Sequence, residues 1–111
     1  MEYDLEERTT KLVENIISLC KEISKNTITF PLIDQLVRSG TSIGANYTEA
    51  NGVASKKDFR NKIILAKKEA METKYWLRLI GNFEVKLKDK CRKLWQETHE
   101  ITIFSKIIKN C

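Results

Sequence analysis

Apolar residues recur along this chain at three- and four-residue steps, the period of a helix packed along one face. Over residues 4–25 the set is Leu5, Leu12, Val13, Ile16, Ile17, Leu19, Cys20 and Ile23. Over 56–80 it is Phe59, Ile63, Ala66, Ala70, Thr73, Leu77 and Ile80, alternating steps of four and three through three heptads, as the seam of a bundle does. Leu87, Cys91, Leu94, Thr98, Ile101, Ser105 and Ile108 repeat that pattern over 84–109.

The breaks fall between these runs. Asn26-Thr27 ends the first, and the β-branched stretch Thr27 to Phe30 reads as a short extended connection into Pro31, suited to a first helical turn. Asn51-Gly52 and Gly81-Asn82 supply C-terminal stops, and Ser55-x-x-Asp58 resembles a capping box. The spacing therefore predicts an all-α fold, an antiparallel up-down-up-down four-helix bundle with helices at about 4–25, 31–51, 56–80 and 84–109. Residues 1–111 form a single domain on this reading.

The second helix differs from the others. Only Asp34, Arg38 and Glu49 are charged between residues 30 and 51, and Ser39 to Asn46 is built of small residues with poor helix propensity. Such a helix persists by packing closely on all sides, so Gly40-x-x-x-Gly44 marks tight packing within the bundle. Ile101 and Ile108 continue the seam of the fourth helix, but Ile103, Phe104 and Ile107 project from its opposite half. That second apolar face predicts self-association; the alternatives are contact with the N-terminal segment or plain exposure.

Charge changes the picture by its position. The net charge of +5 on 111 residues is uneven: 1–25 carries −2, 26–55 carries −1, 56–81 carries +5 and 82–111 carries +3. On the third helix Lys56, Arg60, Lys67, Lys74 and Arg78 share one narrow flank of the seam. Asp58, Glu69 and Glu72 share the other with Leu65 and Trp76. Opposite flanks suit head-to-tail contact between identical subunits, closing into a ring when the rotation permits, although solvated charge is the blander reading. Lys86, Lys88, Lys90, Arg92 and Lys93 cluster near the start of the fourth helix. Clustered cations neutralise phosphates and give salt-sensitive nucleic-acid binding.

Catalytic constellations are missing from the pattern. A di-iron bundle needs two Glu-x-x-His motifs, and the one histidine, His99, has no Glu three residues before it. Nothing orients His99 with Cys91 as a nucleophilic pair, and no Gly-rich loop leads into Lys-Ser or Lys-Thr. His99 reads as a partly exposed surface residue. Cys20, Cys91 and Cys111 are widely spaced and odd in number, so they read as reduced thiols, two of them in or near the core. The acidic start lacks a secretory apolar stretch, and the longest uncharged run, Ser39 to Thr48, is too short and polar for a membrane span. A non-enzymatic, cofactor-free cytoplasmic protein is expected.

The run Gln35-Leu36-Val37-Arg38-Ser39-Gly40-Thr41-Ser42-Ile43-Gly44-Ala45-Asn46-Tyr47-Thr48-Glu49-Ala50 is followed by Ser55-Lys56-Lys57-Asp58-Phe59, by Ala66-Lys67-Lys68-Glu69-Ala70-Met71-Glu72-Thr73 and by Tyr75-Trp76-Leu77. In order and spacing these elements resemble the bacterial 23S rRNA intervening-sequence protein family, over roughly residues 31–80. The resemblance implies a small, often basic four-helix bundle forming a pentameric ring, without known catalysis. It also implies a more distant similarity to the accessory variability protein of diversity-generating retroelements, which binds a reverse transcriptase and nucleic acid. The matched positions Ser42, Asn46, Glu49, Glu69, Glu72 and Thr73 read as structural, with a buried polar network joining the second and third helices. Two functions follow: a homo-oligomer, expected to be a pentamer, whose basic surface binds RNA or DNA, or a protein-interaction scaffold such as a reverse-transcriptase accessory subunit.

Overall fold

A computed structural model describes the backbone of residues 5–109 and the side chains of residues 5–104. Four helices run α1 (Leu5–Glu22), α2 (Thr29–Gly52), α3 (Lys56–Phe83) and α4 (Lys88–Lys109), with a 3-10 turn at Val85–Leu87 before α4. Side-chain pairs fix their directions. Ser39 bonds Thr73 and Glu49 bonds Lys62, so α2 and α3 are antiparallel. Lys74 meets His99 across α3 and α4, and Arg8 and Glu22 of α1 reach Glu97 and Lys90 of α4. The up-down-up-down bundle expected from the spacing results, 44 × 25 × 18 Å in extent.

The seams fill the core as their periods require. Leu12, Ile16, Leu36, Ile43, Ile63, Ala66, Leu77 and Ile101 are all buried. Hydroxyls on the inward faces bond back to their own helices: Thr9 Oγ1 donates to the Leu5 carbonyl at 2.7 Å, and Thr98 Oγ1 to the Leu94 carbonyl at 2.7 Å. A buried Thr thus adds no unpaired polar group. The small residues of α2 bring α1 close. A Cβ on Gly40 would lie 2.9 Å from Ile16 Cδ1, and one on Gly44 3.3 Å from Thr9 Oγ1.

Two boundaries differ from the expected ones. The Thr27–Phe30 stretch is not extended, because Ile28 has helical dihedrals and α2 already begins at Thr29. The Asn26 side-chain oxygen accepts from the Ile28 and Thr29 amides, and the Thr29 hydroxyl donates to the Ser24 carbonyl. This capping outweighs the β-branched propensity, and Pro31 sits in the first turn, where amides are unpaired anyway. At the far end of α3 the helix passes through Gly81-Asn82 and stops at Phe83. Gly81 is a packing position, not a cap: a Cβ there would lie 3.1 Å from Cys91 Cβ. The Ser55 cap forms as expected, its hydroxyl accepting from the Asp58 amide at 3.0 Å.

Candidate nucleic-acid interface

The bundle divides its cations into two sets. Ion pairs among the described residues engage Arg8, Arg38, Lys62, Lys90 and Arg92. Of Lys56, Arg60, Lys67, Lys74, Arg78, Lys86, Lys88 and Arg92, the residues nominated for nucleic acid, only Arg92 belongs to that set, and its neighbour Asp89 is 3.6 Å away with both side chains open to solvent. Lys90, in the same basic cluster, is held by Glu22 at 2.8 Å. Lys56, Arg60, Lys67, Arg78, Lys86 and Lys88 form no ion pair among the described residues. Lys67 is half-buried and the other five are exposed, and charge without a carboxylate partner is the condition for attracting a polyanion. From Lys56 to Arg78 the α3 stripe extends about 33 Å, at 1.5 Å per helical residue.

At the upper end of that stripe α3 and α4 enclose a groove of about 300 Å³. Its lining comes from Leu77, Arg78, Gly81 and Asn82 on α3 and from Lys88, Cys91, Arg92 and Trp95 on α4. Leu77, Gly81 and Cys91 are buried and form the floor, whereas Arg78, Asn82, Lys88 and Arg92 are exposed and form the rim. Three nominated cations are thereby brought together. The approach of Gly81 to Cys91 sets the depth, and burial pushes the Cys91 thiol up to about 11, so the floor stays uncharged.

Lys74 behaves differently from its neighbours on the stripe. It is half-buried, its ammonium donates to His99 Nδ1 at 3.1 Å, and it lies 5.0 Å from the centre of the Trp95 ring. Desolvation pulls its pKa below the ordinary lysine value. Trp95 and His99 stack at 5.2 Å. The one histidine therefore props an aromatic wall of the groove, and no described cluster of His, Cys, Asp or Glu could hold a metal ion. Trp95 and Asn82 escaped the sequence reading; the steps Lys88, Arg92, Trp95, His99 place these α4 residues on one face and were the available signal.

The nominated polar positions are connected, but not as a buried network. Thr73 Oγ1 donates to the Ser39 hydroxyl at 2.8 Å, and that link is buried. Glu69 and Glu72 bond the Arg38 guanidinium, Glu69 at 3.2 Å, and Trp76 Nε1 donates to Glu72. Glu49 is exposed and pairs with Lys62, while Asn46 and Ser42 bond carbonyls of α2 itself, at Ser42 and Arg38. Carboxylates kept at the edge avoid the cost of desolvation. Arg38, not singled out beforehand, is the hub.

On the proposed assembly face, Ile103 is 45% exposed. Phe104 is half-buried against the core, with the Arg8 guanidinium 4.9 Å over its ring. The side chain of Ile107 and residue Cys111 lie outside the described residues. Arg8 in turn grips Glu97 at 2.6 and 2.9 Å and Glu100 at 2.7 Å, so part of this face is covered by α1 of the same chain. Among the described residues no helix is long and apolar enough to cross a membrane.

The model of the family described as 23S rRNA-intervening sequence protein matches residues 1–107, well beyond the central motifs. Similarity extends to a crystal structure of a protein of unknown function from the S23 ribosomal protein family of Bacteroides thetaiotaomicron. The two share 32% identity over 96% of this chain and 98% of that one, with a TM-score of 0.84. No curated protein matches the chain.

Proposed function

We propose that this chain, which belongs to the 23S rRNA-intervening sequence protein family, is a non-enzymatic, homo-oligomeric protein whose basic α3–α4 face binds RNA or another nucleic acid. The observation that carries this reading is the sorting of charge. The ion pairs of the bundle leave the α3 stripe, and Arg78 and Lys88 on the groove rim, without a carboxylate partner among the described residues, while Arg92 has only the solvent-exposed Asp89 at 3.6 Å. Bound phosphates would take the place of the missing carboxylates, and a ring of subunits, a pentamer in this reading, would multiply a weak contact by avidity.

Gel retardation of a structured RNA tests it. The wild-type protein should retard the RNA at about 50 mM salt and release it as salt rises. Reversing Lys56, Arg60 and Lys67 to Glu should abolish retardation while light scattering shows an unchanged particle mass. No retardation by the wild type would sink the proposal.

One observation favours a second reading, a protein-interaction scaffold or accessory subunit, for example of a reverse transcriptase. Ile64, Leu65, Met71 and Tyr75 lie exposed on α3, between 44% and 57% accessible. Such apolar exposure suits a protein partner or another copy of the chain. Under this reading the same charge reversal would dissociate the assembly.

A further inference from the structure

The groove at the end of α3 and α4 combines features that a phosphate alone does not need. Its floor is apolar, from Leu77, Gly81 and Cys91; one wall is the indole of Trp95; the rim holds Arg78, Lys88, Arg92 and the amide of Asn82. We infer that this groove is a pocket for a single unpaired nucleotide, with the base against Trp95 and the flanking phosphates on Arg78, Lys88 and Arg92. The inference rests on the nucleic-acid reading above and narrows it to single-stranded segments at this end of the bundle.

Three physical points support the assignment. First, about 300 Å³ lies at the small end of ligand pockets, enough for one nucleotide unit and not for a folded strand. Second, a duplex keeps its bases stacked inside and presents phosphates and groove edges, so it can reach the exposed rim but not the buried floor. An unpaired base can leave its stack and lie on an aromatic ring, the usual route to single-strand recognition. Third, Trp95 is already held in place. The stack with His99 and the nearby Lys74 ammonium restrain its ring, so little freedom is lost when a base arrives. Asn82 adds an amide that can both donate to and accept from a base edge.

Lys56, Arg60 and Lys67 do not line this groove, so the two parts of the surface should discriminate differently. Lys56, Arg60 and Lys67 serve any phosphate backbone. The groove serves only a strand that can expose a base.

The test compares a labelled single-stranded RNA of about 12 nucleotides without self-complementarity with a duplex of the same length, by fluorescence anisotropy at about 50 mM salt. Two variants are used: Trp95→Leu, and Arg78→Gln combined with Lys88→Gln, which changes only exposed side chains and keeps the packing. Both should weaken single-strand binding by about tenfold; Trp95→Leu should weaken duplex binding by less than about threefold, whereas the double variant lowers duplex binding as well, since a duplex reaches the rim. In a Trp76→Phe background the remaining Trp95 emission should be quenched by the single strand and not by the duplex. Circular dichroism establishes folding, and should Trp95→Leu fail to fold, the surface double variant and the quenching decide. Equal losses for both RNAs with Trp95→Leu, equal quenching of Trp95 by both, or undiminished single-strand binding by Arg78→Gln/Lys88→Gln would overturn the groove while leaving the wider nucleic-acid reading standing. Failure of the wild type to bind either RNA would overturn both.

Discussion

The two flanks of α3 carry charges of opposite sign, and they meet opposite circumstances. Glu69 and Glu72 face α2, where Arg38 binds both and Trp76 adds a hydrogen bond to Glu72. Lys56, Arg60, Lys67 and Arg78 run along the other flank, and no carboxylate pairs with them among the described residues. Formal charge along a helix is therefore a poor guide to available charge. One basic residue in the charge-poor α2 neutralises Glu69 and Glu72, leaving Asp58 exposed at the start of the acidic flank, whereas α4 meets the basic flank with Lys88 and Arg92 and strengthens it. A head-to-tail contact that used both flanks would compete with Arg38 for Glu69 and Glu72.

The largest effect should come from separating α2 and α3. Ser39, Ala66, Ala70 and Thr73 are nearly inaccessible, and only such small residues let Arg38 reach across to α3. Ala70→Leu would insert three carbons where there is no space, with a cost of about 1–3 kcal/mol. The urea midpoint should fall accordingly. An unchanged midpoint would mean that the interface between α2 and α3 can open, and that the acidic flank is not held by close packing.

A smaller effect, and a sharper one for the comparison, is expected from Arg38→Gln. Arg38 is exposed, and ion pairs of this kind add little to stability. The melting temperature should drop by less than for Ala70→Leu, while retardation of RNA should stay within about threefold of wild type, as for a residue making no phosphate contact. Loss of retardation as complete as that of the Lys56, Arg60 and Lys67 reversal would show that the flanks act as one surface and erase the distinction between them.

What the sequence disclosed tracks what is periodic. The seam residues Ile63, Ala66, Ala70, Thr73, Leu77 and Ile80 are buried as their spacing requires, and so are Leu87, Cys91, Leu94, Thr98 and Ile101. Phe59, at the start of the same series, is half-buried. Gly81 misled because glycine serves both as a helix stop and as a point of close approach, and only the position of Cys91 decides between them. The charged stripe was legible because it lies on one helix. The groove was not, because its residues come from two helix ends whose register depends on the turn through Val85–Leu87. Arg38 was overlooked for a related reason: its partners stand 31 and 34 residues away, beyond any local pattern.

The smallest expected effect lies where α1 meets α4, a third arrangement in which both charges are consumed within the chain. The Glu100 carboxyl is held below its ordinary value, first by the hydrogen bond from Arg8 and then by that from Gln96. Because the folded state prefers the ionised form, the contribution is present above the unfolded pKa and disappears as pH falls through the lower folded one. Wild type and Glu100→Gln should thus melt at slightly different temperatures near neutrality and converge in acid, below the ordinary carboxylate pKa of 4.5. The gap should be small, since Glu97 still holds Arg8 in the variant and the site is open to screening by salt. RNA retardation should not change, because neither residue belongs to the basic face. A temperature gap that persists unchanged in acid would point to packing around Phe104, over which the Arg8 guanidinium lies, as the source of the stability, leaving the ion pair without a measurable part.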